Sequence, residues 1–127
     1  MTAVSLMTPD DAAVGGHYSS VARIGDLLFT AGHVPRDRHR KIIGHNIEEQ
    51  TAAVLQNIEA TLKLAGAVPT DIFQVRVYLT DLRLAGRFND AYSAFFGSHR
   101  PVRTVVGARL NEVLVEIDVA AAIGGAG

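Results

Sequence analysis

The chain has 127 residues, of which 48% are hydrophobic and 20% charged, with a formal net charge of -1 and no cysteine. That length and balance fit one globular domain and exclude a disordered chain, while the charge excludes bulk attraction to nucleic acid or an anionic membrane. Without cysteine there is no disulfide, no thiolate nucleophile and no cysteine-based metal site.

The N-terminal MTAVSLMTPDDAAVGG lacks the basic start and long apolar core of a signal peptide. No run approaches the length that crosses a bilayer, so the expectation is a cytoplasmic protein without membrane contact. Residues 1–15 read as an irregular arm, with Thr8-Pro9-Asp10-Asp11 as a turn or short helical start. Gly15-Gly16 allows an unusual backbone path just before Tyr18, whose plainest reading is a half-buried ring with a wet hydroxyl.

Residues 21–24 and 27–31 are β-prone, and Gly25-Asp26 between them predicts a tight hairpin. Gly32 follows, where a glycine implies close backbone approach or positive φ at a strand end. The run RDRHRK at 36–41 reads as a solvated loop: it is short, holds an aspartate and lacks aromatics for base stacking. His33, His39 and His45 lie six residues apart. That spacing matches no common ligand pattern, and no metal site is expected.

Residues 46–65 form the clearest helix, with Ile47, Thr51, Val54, Ile58, Leu62 and Ala65 on one stripe. Asn46 caps it, Glu49 completes a capping box, and Gly66 stops it. The strand FQVRVYLT then alternates, with Phe73, Val75, Val77 and Leu79 on one face and Gln74, Arg76, Tyr78 and Thr80 on the other. Thr80 or Asp81 caps a second helix, roughly 82–96, whose stripe holds Leu84, Phe88, Tyr92 and Phe95 and is adjoined by Asn89. Gly97 ends it.

Two last strands, 101–110 and 113–121, precede a flexible tail at 123–127. They place Arg103 and Glu116 in otherwise apolar runs, where a charge needs a partner or a purpose. With Asn111-Glu112 as a two-residue turn they form a hairpin. Val102, Thr104, Val106, Val115, Ile117 and Val119 then face the helices, and Arg103, Val105, Glu116 and Asp118 face away. On that register Arg103 and Glu116 stand roughly 13 Å apart, and Asp118 is the nearer acid to Arg103. The order ββαβαββ predicts one α/β (α+β) domain over residues 1–127, a single mixed sheet with both helices on one face. The bare face then calls for a covering subunit.

In order and spacing these motifs resemble the RidA (YjgF/YER057c/UK114) family over about residues 16–121. The resemblance is carried by Gly16-His17-Tyr18-Ser19, Leu28-Phe29-Thr30-Ala31-Gly32-His33-Val34-Pro35, Phe88-Asn89-Asp90-Ala91-Tyr92, Pro101-Val102-Arg103-Thr104 and Val115-Glu116-Ile117. It implies a chorismate-mutase-like, barrel-like homotrimer with clefts between subunits. It also implies hydrolysis of carboxylate-bearing enamines and imines, such as 2-aminoacrylate and 2-iminobutyrate, to 2-oxo acids and ammonia, without metal or organic cofactor. Carried over by position, Arg103 anchors the substrate carboxylate, Glu116 handles the attacking water, and Tyr18, Gly32 and Asn89 line the cleft. The alternatives are a non-catalytic binder of 2-oxo acids and a deaminase of a catabolic enamine such as an aminomuconate. An RNA-acting role, which some relatives carry in their names, is opposed by the net charge. The chain departs from the family pattern at His17, Ala31, His33 and Val105, and its turn at Asn111-Glu112 is shortened.

Overall fold

A computed structural model describes residues 3–12 and 14–124. Six strands and two helices follow in the order β1 (Val4–Met7), β2 (Val21–Ile24), β3 (Leu27–Thr30), α1 (Ile47–Leu64), β4 (Ile72–Leu79), α2 (Ala85–Phe96), β5 (Val102–Gly107) and β6 (Val115–Ala122). They build one mixed sheet in the order β1-β2-β3-β6-β4-β5. Both helices cover one face, as expected.

The predicted hairpin at Gly25-Asp26 is present: β2 and β3 pair antiparallel with Ile24 opposite Leu27, and Gly25 takes φ 59°. α1 keeps its stripe, and Val54, Leu55, Ile58 and Leu62 are fully buried, each burial stabilising the fold by roughly 2 kcal/mol. Asn46 accepts from Glu49 N–H at 2.8 Å. The return bond of the predicted capping box goes one residue further out, because Glu49 Oε1 accepts from His45 N–H at 2.8 Å. Gly66, at φ 88°, lets the chain turn so that Ala67 N–H reaches the Leu62 carbonyl at 2.8 Å. A single 3₁₀ turn at Leu82–Leu84, capped by Asp81, leads into α2. Arg87 of α2 then grips Glu48 of α1 with bonds of 2.7 and 3.0 Å.

The N-terminal segment is not wholly irregular. Val4–Met7 adds a strand antiparallel to β2; its exposed alternation gives little sequence signal. At the other end, Ile123 packs against the core and its N–H donates to Asp26 O at 2.7 Å. The rest of the expected tail, 125–127, lies outside the described residues.

The terminal hairpin is the main correction. β5 and β6 do not pair; β4 lies between them, parallel to β5 and antiparallel to β6. Val75, Val77 and Leu79 of β4 are fully buried, so that strand needs ladder partners on both edges. The connection 108–114 supplies them by crossing the end of β4, where Ala108 N–H donates to Leu79 O and Thr80 N–H to Leu114 O. α2 provides the long crossover that a parallel β4–β5 pair requires.

This pairing also reverses the faces of β5. Arg103 and Val105 register with Val75 and Val77 and share the helix side, whereas Val102 and Val106 lie on the open face, 66% and 41% exposed. β6 keeps the predicted sides, with Val115, Ile117 and Val119 buried. In β4 a bulge between Ile72 and Gln74 turns Ile72 inward and leaves Phe73 42% exposed. Val4, Leu6, Ile24, Leu27 and Phe29 add exposed apolar side chains to the same open face.

Candidate active site

β3 and β6 position the first half of the site. They pair from Leu27–Ala122 to Phe29–Ala120, and the ladder resumes as an isolated bridge between His33 and Ile117. One extra residue sits on the 30–32 side, a bulge of the kind that re-aims side chains. Thr30 Oγ1 fills the gap by accepting from Val119 N–H at 3.0 Å. Beyond it, His33 N–H donates to Ile117 O at 2.7 Å and Ile117 N–H to His33 O at 3.0 Å.

This lays Gly32 flat against the Glu116 side chain. A Cβ on Gly32 would collide with the Glu116 carboxylate, standing 3.0 Å from its Cδ. Glycine at this position is therefore a matter of space, not of positive φ.

His33 fixes the same peptide from behind. Its Nδ1 lies 2.8 Å from Ala31 O and its Nε2 2.9 Å from Thr61 Oγ1. A carbonyl only accepts, so Nδ1 carries the proton and Nε2 accepts from the Thr61 hydroxyl. Burial lowers the His33 pKa and keeps the ring neutral.

Glu116 is half-buried and makes no side-chain hydrogen bond among the described residues. Desolvation, with a smaller contribution from the Asp118 charge, raises its pKa above the ordinary 4.5. It opens on a cavity of about 330 Å³ that Tyr18, Gly32, Arg36, Arg40 and Asn111 also line. The Tyr18 ring is exposed, and its hydroxyl accepts from Gly15 N–H at 3.2 Å.

β5 and α2 build the second half elsewhere. Arg103 Nη1 donates to Asn89 Oδ1 at 2.9 Å. Its guanidinium lies 4.8 Å from the Tyr92 ring centroid and 5.8 Å from that of Phe88, a cation–π seat that holds the fork flat. Asn89 and Phe88 lie three and four residues before Tyr92, so each neighbours it on the surface of α2. Burial pushes the Tyr92 hydroxyl up to about 12, and among the described residues that hydroxyl has no hydrogen-bond partner.

Asp118 does not orient Arg103. It accepts from Arg76 Nε at 2.8 Å and from the Tyr78 hydroxyl at 3.0 Å, on the open face. No acid forms an ion pair with Arg103 among the described residues.

Within one chain, Glu116, Gly32 and Tyr18 therefore converge on one cavity, and Arg103 and Asn89 form a separate station at the β5 edge. The sequence reading missed the rings beneath Arg103, although Phe88 and Tyr92 bracket Asn89 at helical spacing. It also missed Arg36 and Arg40 as cavity walls and His33 as the buttress of Gly32. Among the described residues no three metal-binding side chains gather, and no helix is long and apolar enough to cross a membrane.

Known proteins share both fold and sequence with this chain. The family model described as Endoribonuclease L-PSP matches residues 9–123. A RutC family protein of Saccharolobus solfataricus is 42% identical over 109 residues, covering 84% of this chain and 86% of that protein. The crystal structure of YyfA from Yersinia pestis, a protein of unknown function of the conserved Rid family, superposes with a TM-score of 0.89 at 29% identity, covering 95% of this chain and all of the other. That of E. coli TdcF with bound serine gives 0.83 at 29% identity, over 92% and 96% of the two chains. With matched span, relatives and fold in agreement, the chain belongs to the RidA (YjgF/YER057c/UK114) family.

Proposed function

We propose that the chain hydrolyses small carboxylate-bearing enamines and imines to 2-oxo acids and ammonia, in a cleft that two copies complete. The observation that carries this reading is Glu116, a desolvated carboxylate with raised pKa and, among the described residues, no ion-pair partner, packed on Gly32 at a cavity wall. Such a group is a stronger base than a free carboxylate.

The enamine first tautomerises to the imine. Glu116 takes a proton from water as the oxygen attacks the imine carbon, and the C=N π electrons move to nitrogen, which receives that proton from Glu116. Glu116 then takes the hydroxyl proton of the tetrahedral intermediate as C=O re-forms, and the C–N bond breaks as that proton passes to nitrogen, so that ammonia leaves and Glu116 is ionised again. Holding water and imine together supplies the proximity.

Arg103 anchors the carboxylate with its planar fork. Its hydrogen bond to neutral Asn89 and its seat on two rings leave the charge available for an anion. The bound serine of TdcF, a small 2-amino carboxylate, supports this ligand class. It equally fits the second reading, a binder of small carboxylates without turnover.

Because Arg103 and Glu116 occupy separate stations of one chain, the cleft takes Arg103 from one copy and Glu116 from another. The open face, with Val102, Val106, Leu27 and Phe29 exposed on it, is the surface a homotrimer would bury.

The test is to generate 2-aminoacrylate with a pyridoxal-phosphate-dependent dehydratase and follow 2-oxo acid formation. The expected result is acceleration by the wild type and none by Arg103→Ala. Equal rates would overturn the deaminase reading, and ligand binding without acceleration would establish the second.

A further inference from the structure

The loop 36–41 reads from sequence as a solvated charge run, yet two of its arginines, Arg36 and Arg40, form part of the wall of the Glu116 cavity. The loop is closed on itself. Arg36 bridges Ile42, Asp37 N–H donates to Lys41 O at 2.9 Å, and Arg40 takes φ 68°. The acid within the loop forms no ion pair with Arg36 among the described residues. Asp37 Oδ1 instead accepts from His39 N–H at 2.8 Å and Lys41 N–H at 3.0 Å.

Arg36 is half-buried and braced by neutral partners. Nη1 donates to Arg40 O at 2.7 Å and Nη2 to Asn111 O at 3.0 Å. These bonds leave most of the guanidinium's N–H donors unspent. Among the described residues Arg36 has no ion pair with an acid. Glu116, which lines the same cavity, forms no ion pair with it among the described residues. A fixed, partly desolvated guanidinium beside a cavity of about 330 Å³ is a seat for an anion.

We propose that the Glu116 cavity holds a second carboxylate subsite built on Arg36, with Arg40 beside it, so that the chain prefers dicarboxylic 2-oxo and 2-imino acids to monocarboxylic ones. The inference rests on the reading that Arg103 of a neighbouring copy takes the first carboxylate. Glu116 then faces the carbon between the two anchors, and the ligand's side-chain carboxylate points to Arg36.

Calorimetric titration with 2-oxobutyrate and 2-oxoglutarate tests this without requiring turnover. Wild type should bind 2-oxoglutarate about tenfold or more tightly than 2-oxobutyrate, the effect of one charge-assisted fork. Arg36→Met should abolish that preference and leave 2-oxobutyrate within about twofold of wild type. Arg103→Ala should weaken both ligands.

Equal affinities in wild type, or equal weakening of both ligands by Arg36→Met, would overturn the subsite. Arg36→Lys guards against loop collapse, because it keeps the charge and should retain part of the preference; complete loss in both variants with an altered unfolding midpoint would also count against the subsite. An Arg36-dependent preference without imine turnover would leave the subsite standing and overturn the deaminase reading. Failure of wild type to bind either acid would overturn both.

Discussion

Arg103 and Glu116 stand on opposite faces of one sheet with β4 between them. Arg103 registers with Val75 of β4, and Glu116 with Tyr78. Those two positions differ by an odd number of residues, so their side chains project to opposite sides. No rotamer change brings such groups onto one small substrate. The chemistry proposed for the pair then requires a second copy.

Subunit mixing tests that requirement. Arg103→Ala and Glu116→Ala proteins, each inactive alone, should recover activity when unfolded together and refolded as a mixture. If each site takes one residue from each of two adjacent copies, random assembly restores about a quarter of the wild-type activity per chain. A mixture no more active than its components would place both residues of a working site in a single chain. Sedimentation of the wild type should give the mass of three chains.

The helices, the first hairpin and the apolar stripe of α1 are legible in the sequence because each is set by local periodicity and by caps within a few residues. The partners of β5 and β6 are not. Two apolar runs joined by a short polar segment read the same whether they pair with each other or flank a third strand. Only the fully buried β4, which needs ladder partners on both edges, decides between them. That choice inverted the faces of β5 and moved Arg103 onto α2. Arg103 and Glu116 stood out as charges in apolar runs, the roles of these two and of Tyr18, Gly32 and Asn89 came from family resemblance, and the Arg103–Asn89 and Glu116–Gly32 contacts join four of them in two groups. His33 gave no such signal, because its role depends on Thr61, remote in sequence and fixed only by the docking of α1.

Asn89 tests the anchor. Asn89→Asp sets a carboxylate 2.9 Å from Arg103 Nη1, where it neutralises the guanidinium and competes with the substrate. The expected result is a rise in KM of about tenfold or more with kcat changed much less. Asn89→Ala, which removes one hydrogen bond and adds no charge, should raise KM by only about two- to tenfold. Equal effects of the two substitutions would remove Arg103 from substrate binding.

Gly32→Ala separates positioning from stability. Its methyl group meets the Glu116 carboxylate, the far end of a flexible side chain, which can swing away at little cost. The unfolding midpoint should stay close to wild type while kcat falls by about 10- to 100-fold, the scale of a misplaced catalytic group. Unchanged kcat would show that Glu116 does not act from the position seen here.

The raised pKa of Glu116 gives paired predictions for activity and stability. As the base, Glu116 works ionised, so kcat/KM should fall as pH drops through an inflection above its ordinary 4.5. For stability the sign is opposite. Burial favours the protonated carboxyl in the folded state, and that contribution is complete below the unfolded pKa and lost as pH rises through the folded one. Ionised Glu116 therefore costs stability at pH 8. Glu116→Gln keeps the shape without the charge, so it should lose turnover yet unfold at a higher temperature than wild type at pH 8, with the gap closing below pH 4.5. Thermal unfolding of both proteins across this range provides the check. A gap that widens toward acid pH would mean that Glu116 is stabilised as the carboxylate, which would contradict its assignment as a desolvated base.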